Sequence, residues 1–590
     1  MNKVLISCGL LVFLLFTSSC RSKNETVNTP KGPSRPNVLL IITDDQGWGD
    51  INSHGNDSIS TPNLDKLAAQ SYRFDRFYVS PVCAPTRASV LTGRYHLRTG
   101  VHGVTGRREV MRNTEFSIAE IFKSQDYRTS YFGKWHNGAQ YPHNPVGQGF
   151  EYFFGFCAGH WNNYFDTHLE YEGEMVKTEG YITDVLTDSA IAEIKRSRAL
   201  PFFQYISYNT PHSPFQVPDP YFNKYRESGF DDKTAAIYGM VENIDDNVAR
   251  LMKALEETGL EEKTIVIFMT DNGPNSWRFN GNMRGKKAWV DEGGVRVPFF
   301  LKIPWLSKEE IHIEKMAAHI DILPTLVNLC GLELPVGLEL DGVDLGPYLY
   351  DREKEIPDRF IYTDRGLGLK RPWALRSEKY LLTVKKDTFL YDLKKDPFQK
   401  SNIAKDHPRI VENYINRYNK WYREVTAFGM KPPPIEVGHL KAPVVRLPAH
   451  EAKNSNHVNF KEGHGWANDW FVNFKDPEDS ISWKVKVIRE GIYNVHVLLN
   501  SPEENIGREL ILSSNVIKEK QALKKAYLAK EVPSGDRVER KEVYERDWPE
   551  LVFQEVYLEK GEYTLGLNPG RKGFPEGMEI KSLIIKAQNN

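Results

Sequence analysis

A short segment at residues 83–87, CAPTR, combines residue types that could do chemistry. A proline follows Cys83 by two residues and Arg87 follows it by four, a pattern that predicts the start of a helix running through Leu91. The first turn of a helix offers free backbone N–H groups and the positive end of the helix dipole, which favour an anion. The same surroundings lower the pKa of a thiol. The segment therefore predicts a reactive side chain beside an anion site.

Oxygen-bearing side chains follow two apolar runs, residues 38–43 and 264–270. Continuous aliphatic and β-branched runs of this kind are typical of strands buried on both faces of a parallel sheet. Ligands bind beyond the carboxyl ends of such strands. One acidic pair at a strand end is more often a turn that caps a helix, but two pairs favour a divided metal site. The pairs are Asp44 with Asp45, and Asp271 with Asn272. Oxygen ligands without a Cys or His partner predict a hard cation, Ca²⁺ first and Mg²⁺ second.

Basic side chains occur at three further places. Lys134 and His136 are two residues apart in the strand-like segment 131–136, and such residues share one face of a strand. His212 follows another apolar run, and Lys287 lies in a glycine-flanked segment that lets the backbone approach a ligand closely. Taken alone, Lys134 and His136 are more simply a solvated lysine beside a packed histidine, and His212 a histidine in a surface loop.

The elements that would position these residues form an α/β domain, for which we predict the bounds 36–344. A helical stripe from residue 235 to residue 255 predicts a crossover helix between the buried strands. Residues 345–430 predict a small antiparallel α+β subdomain, and 431–440, with three consecutive prolines, a linker. Strand-length alternating patches after it predict a β-sandwich over 441–590. We see no catalytic constellation in the sandwich and favour a structural or substrate-rim role for it over sugar binding by the module itself.

In this order the motifs resemble the type I sulfatase family of the alkaline phosphatase-like superfamily. The resemblance covers about residues 35 to 430 and is carried by the C-x-P-x-R…T-G-R signature at 83–94 together with the acidic pairs. The Lys134–His136 motif, the Pro-His at 211–212 and Lys287, five residues before the Glu-Gly-Gly at 292–294, complete it. The resemblance implies an α/β fold with an alkaline phosphatase-like mixed sheet flanked by helices.

The resemblance also implies an activity and a role for each residue. In the family a maturation enzyme oxidises the signature cysteine to formylglycine, whose hydrate is the nucleophile. The implied reaction is hydrolysis of sulfate monoesters on a sulfated carbohydrate, with release of inorganic sulfate. Arg87 would stabilise the nucleophile, His136 would act as base, Lys134 and Lys287 would neutralise sulfate, and His212 would be the general acid. The implied metal ligands are Asp44, Asp45, Asp271, Asn272 and the modified Cys83.

The sequence indicates the substrate less clearly than the reaction. Residues 159–166, GHWNNYFD, mix aromatic and amide groups, so His160, Trp161 and Asn163 are candidate substrate-binding residues, although ordinary packing explains them equally well. A sulfated polysaccharide or oligosaccharide is the expected partner, with no particular sugar indicated. Two alternatives stay open: a phosphomonoester or phosphonate hydrolase of the same superfamily, and an inactive sulfatase-like carbohydrate-binding protein.

The composition and the N-terminal segment indicate the location of the protein and limit its partners. A net charge of −1 gives no case for a nucleic-acid partner. Residues 1–20 predict a signal peptide, with lipidation at Cys20 and a tether over 21–35. We therefore expect an exported protein that is lipid-anchored in a bacterial envelope, at the periplasm or cell surface, or otherwise periplasmic or secreted. Beyond residue 20 the cysteines are Cys83, Cys157 and Cys330; because their number is odd, we expect Cys157 and Cys330 to be buried apolar residues and no disulfide framework.

Overall fold

The computed structural model describes residues 32–588 apart from 198–199, 352, 367–370, 456 and 576. The predicted signal peptide, Cys20 and most of the tether lie outside the described residues. Within the described ranges, no helix is both long and apolar enough to cross a membrane.

The first part of the chain alternates strands and helices. Its strands are β1 (Asn37–Thr43), β2 (Tyr72–Phe74), β3 (Phe77–Tyr78), β4 (Arg128–Lys134), β5 (Tyr152–Phe156), β6 (His168–Tyr171), β7 (Glu174–Lys177), β8 (Phe202–Ser207), β9 (Thr264–Thr270), β10 (Arg296–Val297), β11 (Phe299–Lys302), β12 (Ile311–Ile313) and β13 (Ala317–Ala318). Its helices are α1 (Pro62–Ala68), α2 (Cys83–Thr92), α3 (Ile118–Lys123), α4 (Ile182–Arg196), α5 (Asp219–Glu227), α6 (Asp232–Glu257), α7 (Glu292–Val295) and α8 (Ile322–Cys330).

A mixed sheet organises this part. Among the described residues its ten strands follow the order β12-β2-β11-β9-β1-β8-β4-β5-β6-β7, and β9, β1, β8, β4 and β5 are parallel. Every residue of β1 is buried: Leu40 belongs to the core formed with α2, α3 and α8, and Ile41 belongs to the core formed with α1, α4 and α6. Because both faces of the strand are covered, a continuous apolar run is required there. The predicted mixed sheet flanked by helices is confirmed.

A small subdomain follows, with α9 (Gly346–Tyr350), β14 (Ile361–Asp364), β15 (Trp373–Arg376), β16 (Tyr380–Val384), β17 (Thr388–Asp392) and α10 (Pro408–Val425). Its four strands pair antiparallel in chain order. Helix α10 covers this sheet, and the ring of Tyr418 stacks on Trp373 with centroids 3.7 Å apart. The antiparallel α+β part of the predicted fold is thereby confirmed.

The last part is a β-sandwich with the strands β18 (Ile435–Val437), β19 (Val444–Pro448), β20 (Lys453–Asn454), β21 (Asn459–Phe460), β22 (Phe471–Val472), β23 (Ile481–Val487), β24 (Gly491–Asn500), β25 (Glu509–Ser513), β26 (Lys518–Ala522), β27 (Lys530–Glu531), β28 (Arg546–Asp547), β29 (Glu550–Leu558), β30 (Gly561–Pro569) and β31 (Glu579–Ala587). Two sheets, one centred on β23 and β30 and one on β24 and β31, enclose a single hydrophobic core. Alternate residues of β23 are buried, which is the pattern of a strand with one face on a core.

A segment of the sandwich, residues 532–545 between β27 and β28, lies on the α/β part and is called the strap below. Its Asp536 forms a β-bridge with Gln216, and the backbone N–H of Arg537 donates to the carbonyl of Phe215 at 2.9 Å. The sandwich is therefore in direct contact with the loop that follows β8. The predicted domain boundaries at 344, 430 and 440 stay predictions.

Candidate active site

The four predicted oxygen ligands lie together beyond the carboxyl ends of β1 and β9. The strands pair in parallel register up to Thr43 and Thr270, so the residues that follow them are neighbours. The backbone N–H of Asp271 donates to the carbonyl of Thr43 at 3.1 Å, and that of Asp45 donates to Asp271 Oδ1 at 3.3 Å. The side chains of this cluster, Asp44, Asp45, Asp271 and Asn272, are all buried.

Cys83 is the first residue of helix α2, as predicted, with Val82 as the N-cap. The cysteine is buried, and its Sγ lies within 4.8 Å of a carboxylate oxygen of both Asp44 and Asp271. The helix start is held by Thr86, whose Oγ1 accepts a 3.0 Å hydrogen bond from the N–H of Ser80. The start of α2 therefore delivers residue 83 to the oxygen cluster.

Arg87 is fully buried and points its guanidinium at Asp271. Its Nε and Nη2 donate to Asp271 Oδ2 at 3.1 and 2.7 Å, and its Nη1 donates to the carbonyl of Lys134 at 2.9 Å and to Ser207 Oγ. Burial alone would lower the pKa of Arg87, but the carboxylates of Asp271 and Asp44 raise it well above its ordinary value. Burial and then Asp44 raise the pKa of Asp271, and the guanidinium opposes that shift. Arg87 is thus a fixed buried cation that favours the ionised form of Asp271.

Two lysines contact the acidic pair that follows β1. Lys134, the last residue of β4, places Nζ 2.5 Å from Asp44 Oδ2, and Lys287 places Nζ 2.6 Å from Asp45 Oδ1. Burial alone would raise the pKa of both carboxyl groups. Lys134 and then His212 hold the pKa of Asp44 well below its usual range, and Lys287 and then His212 lower that of Asp45. The site therefore holds ionised carboxylates and ammonium groups side by side.

His136 reaches the site by a different route from the one predicted. The prediction that it shares a strand face with Lys134 is wrong, because β4 ends at Lys134 and His136 adopts a φ of 63° beyond it. Its Nε2–H donates to the carbonyl of Val104 at 2.9 Å, so the lone pair is on Nδ1, which has no hydrogen-bond partner in the described part of the chain. Burial and then Lys134 hold the pKa of His136 well below its ordinary value. The imidazole is therefore neutral with a free acceptor nitrogen.

His212 faces the acidic pair from the loop after β8. Its Nδ1–H donates to the carbonyl of Ser213 at 2.7 Å, which leaves Nε2 at 3.7 Å from Asp45 Oδ2. Burial and then Lys287 lower the pKa of His212, while Asp45 raises it. An anion that offsets the charge of Lys287 would therefore favour the imidazolium.

The donor set fits a hard divalent cation. Asp44 Oδ1 and Asn272 Oδ1 are buried oxygens that have no hydrogen-bond partner among the residues described. Asn272 is oriented by its own amide, whose Nδ2 donates to Asp45 Oδ1 at 2.7 Å. Unpartnered buried oxygens are costly, and an ion that takes oxygen ligands removes that cost.

The three candidate substrate residues differ in their surroundings. The ring of His160 meets that of His212 edge to face, with centroids 4.7 Å apart. Trp161 stacks on Phe156 at 4.8 Å and donates from Nε1 to Thr167 at 2.8 Å, and Asn163 accepts from the N–H of Phe165 at 3.4 Å. The structure therefore brings His160 against His212, and the contacts of Trp161 and Asn163 shape their own loop.

The sequence did not point to two further residues that contact Asp45 of the oxygen cluster. Asn275 donates from Nδ2 to Asp45 Oδ2 at 3.0 Å, and Arg278 donates to the carbonyl of Asp45 at 3.0 Å while it pairs with Asp50. Their position shortly after the Asp-Asn pair could have predicted them, because the loop that follows a ligand-bearing strand end lies along the same edge of the sheet.

The sandwich contributes side chains for which the sequence contains no local signal. Trp466 stacks on His160 at 5.8 Å and 8°, and Asn468 donates from Nδ2 to the carbonyl of His160 at 2.7 Å. From the strap, Glu542 accepts a 2.7 Å hydrogen bond from Ser213 and lies 4.0 Å from His160 Nδ1. These contacts join residues hundreds of positions apart, so only the tertiary structure reveals them.

A mixed sheet whose strand ends hold an oxygen cluster, with cations and a helix start facing it, defines a hydrolase of anionic esters with an alkaline phosphatase-like fold. A family model described as Sulfatase matches residues 36–332, half of the chain, and one described as N-sulphoglucosamine sulphohydrolase, C-terminal, matches residues 285–420. The chain belongs to the type I sulfatase family and is a sulfuric ester hydrolase, as its motifs predicted.

Its relatives include bacterial and animal sulfatases. It is 30% identical over 383 residues to the uncharacterized sulfatase YdeN of Escherichia coli K12, covering 55% of this chain and 68% of that protein. It is 28% identical over 427 residues to an ulvan-active sulfatase of Formosa agariphila, covering 67% and 82%. It is 29% identical over 371 residues to the N-acetylgalactosamine-6-sulfatase of Canis lupus familiaris, covering 57% and 69%. The crystal structure described as Ps i-CgsB in complex with k-i-k-neocarrahexaose superposes with a TM-score of 0.62 at 28% identity, covering 66% of this chain and 92% of that one.

Proposed function

We propose that this sulfatase removes sulfate from a sulfated polysaccharide or its oligosaccharides. The observation that carries the proposal is the meeting of Cys83 with Lys134, Lys287 and the oxygen cluster in one buried site. Similarity to an ulvan-active sulfatase and to a structure described with a neocarrahexaose supports a carbohydrate substrate.

Two groups complete the site. Formylglycine, made from Cys83 by a maturation enzyme, supplies a hydrated aldehyde as the nucleophile. Asp44, Asp45, Asp271, Asn272 and residue 83 would hold a divalent cation, which would neutralise negative charge on that nucleophile and on sulfate. We propose Ca²⁺ as the ion, with Mg²⁺ second, because the side-chain ligands are hard oxygens.

The ammonium groups of Lys134 and Lys287 bind the sulfate oxygens. Each is within 2.6 Å of a carboxylate of the acidic pair, so binding exchanges some of that pairing for contacts to sulfate. The charges are already in place before the ester arrives, so little reorganisation accompanies the reaction.

The two histidines move protons at opposite ends of the reaction. His136 accepts a proton at Nδ1, the nitrogen left free by the hydrogen bond from Nε2 to Val104. His212 donates a proton from Nε2 to the oxygen of the leaving sugar, since its Nδ1 is occupied by Ser213. An alkoxide is a poor leaving group, and general acid catalysis typically contributes about 10²- to 10⁴-fold.

Arg87 is a positioning residue in this proposal. Its hydrogen bonds go to Asp271, the Lys134 carbonyl and Ser207, so it acts by holding a metal ligand and the end of β4. The family resemblance implied instead that Arg87 stabilises the nucleophile.

We also propose that the protein is exported and attached to the bacterial envelope through a lipid on Cys20. The sequence features of residues 1–20 support this. Labelling cells with a fatty-acid analogue and comparing the natural sequence with Cys20→Ala tests it, and label that persists in the variant contradicts it.

The function is tested with enzyme matured in a host that makes formylglycine. Mass spectrometry of the peptide that contains residue 83 reports conversion, and ion chromatography reports sulfate released from ulvan and carrageenan oligosaccharides. We expect release that is lost in Cys83→Ala and in Asp44→Asn, each checked for folding by its melting temperature. Release that survives both substitutions, or faster hydrolysis of phosphate than of sulfate esters, contradicts the proposal.

A further inference from the structure

Exposed aromatic side chains cluster beside the active site. Trp277 is 66% exposed and Trp289 is 36% exposed, and their rings meet edge to face with centroids 5.9 Å apart. Phe279, 38% exposed, is two residues further along the chain from Trp277. Isolated exposed apolar residues are common, but large aromatic side chains gathered in one place mark a binding surface.

Both tryptophans are close in sequence to residues whose side chains contact Asp45. Trp277 comes two residues after Asn275, whose amide donates to Asp45 Oδ2 at 3.0 Å. Trp289 comes two residues after Lys287, whose Nζ lies 2.6 Å from Asp45 Oδ1. Two residues of backbone span at most about 7 Å, so the Cα atom of each tryptophan lies within that distance of the Cα atom of a residue whose side chain contacts Asp45. The aromatic pair is therefore carried by the two chain segments that reach the acidic pair.

The same surface carries an ammonium group that lacks a carboxylate partner among the described residues. Lys286 places Nζ 5.4 Å above the ring of Trp277 and forms no ion pair with any described residue. An ammonium group with no carboxylate partner favours an anionic ligand.

We propose that Trp277, Trp289 and Lys286 form a subsite for a second sugar that bears an anionic group, next to the sugar whose sulfate is removed. The subsite rests on the proposed function. The aromatic rings bind the apolar face of the second sugar, and the ammonium group of Lys286 binds its sulfate or carboxylate. Because the subsite needs a neighbouring charged sugar, the preferred substrate is an oligosaccharide with more than one anionic group.

The test compares two substrates in the same enzyme. Matured enzyme and the double variant Trp277→Ala/Lys286→Gln are assayed with 4-nitrophenyl sulfate and with carrageenan and ulvan oligosaccharides, which present sulfate alone or sulfate with carboxylate. We expect the ratio of kcat/KM for the better oligosaccharide to that for 4-nitrophenyl sulfate to fall about 10- to 100-fold, mostly through KM. Lys286→Arg, which keeps the charge, should retain most of that ratio.

Phe428→Ala is the matched control, because Phe428 is 75% exposed and belongs to the segment that follows α10. A ratio that stays within about twofold in the double variant overturns the subsite, and so does an enzyme that hydrolyses only 4-nitrophenyl sulfate. An enzyme that hydrolyses no sulfate ester contradicts the proposed function itself and removes the basis of the subsite. If the double variant lowers this kcat/KM ratio equally for carrageenan and ulvan oligosaccharides, the subsite accepts both sulfate and carboxylate.

Discussion

The carboxylate of Glu542 accepts a 2.7 Å hydrogen bond from Oγ of Ser213, although the two residues are 329 positions apart. Ser213 directly follows His212 and accepts the Nδ1–H of that histidine through its carbonyl. The strap of the sandwich therefore holds the backbone that orients the proposed general acid. The sandwich supports the active site as well as packing against the α/β part.

The first prediction concerns that contact. Glu542→Ala should lower kcat for a sugar sulfate about 10- to 100-fold, because a hydrogen bond to a charged group contributes roughly 1.5–3 kcal/mol. The loss should be smaller for 4-nitrophenyl sulfate, whose leaving group needs less protonation. Steady-state kinetics with both esters measure this, and Glu539→Ala, an exposed residue of the strap, is the control. Equal losses with the two esters would show that Glu542 does not act through His212.

The second prediction concerns the cation. A chelator should lower the melting temperature and added Ca²⁺ should restore it, because an ion at one hundred times its Kd stabilises the folded state by about 2.7 kcal/mol. In Asp45→Asn the response to Ca²⁺ should be largely lost, whereas Asp406→Asn, at an exposed position, should respond like the natural protein. Differential scanning calorimetry measures the shift. An unchanged response in Asp45→Asn would place the ion elsewhere.

The third prediction concerns the packing around His136. A Cβ on Gly159 would collide with His136 Nε2 and lie 2.8 Å from Cδ2, and the ring cannot move away without breaking its hydrogen bond to Val104. Gly159→Ala should therefore cost about 1–3 kcal/mol of stability, as overpacking does, and should reduce turnover because the proposed base is displaced. Thermal unfolding and sulfate release measure the two effects. Gly491→Ala, whose nearest neighbouring atom would be 3.8 Å away, should change neither. Full activity in Gly159→Ala would contradict a role for the position of His136.

The fourth prediction concerns pH and the contact between the α/β part and the sandwich. Burial and then Glu451 of the sandwich raise the pKa of Glu109 from 4.5 to about 7. In that interval the folded state binds the proton that the unfolded state has released, so stability is lost as the pH rises from about 4.5 to about 7. Glu109→Gln keeps the neutral form at every pH.

The variant should therefore gain stability relative to the natural protein as the pH rises, by roughly 1–3 kcal/mol at about pH 8 compared with about pH 5. Urea unfolding at a series of pH values measures the difference, and Glu462→Gln, which changes an exposed carboxylate, is the control. Stability curves that stay parallel across this range would mean that Glu109 is ionised in the folded protein.

The sequence by itself determined the buried parallel strands, the start of helix α2 at Cys83 and the meeting of the two oxygen pairs. These follow from local rules: an apolar run covered on both faces, a helix start before a proline, and the shared edge at which parallel strands end. The proximity of Asp45 and Asp271 can be predicted, because each residue follows a buried strand and neighbouring parallel strands end at the same edge of the sheet.

Only the tertiary structure decided which side chains surround that cluster. His136 leaves the strand at a φ of 63°, a backbone state that the pattern of residues 131–136 does not signal. Glu542 and Trp466 approach His212 and His160 from a separate β-sandwich, and no periodicity or motif links positions that are hundreds of residues apart. The physical reason is that such contacts depend on how the folded α/β part and the folded β-sandwich pack against each other. That packing is determined by the whole of both surfaces and not by any one segment.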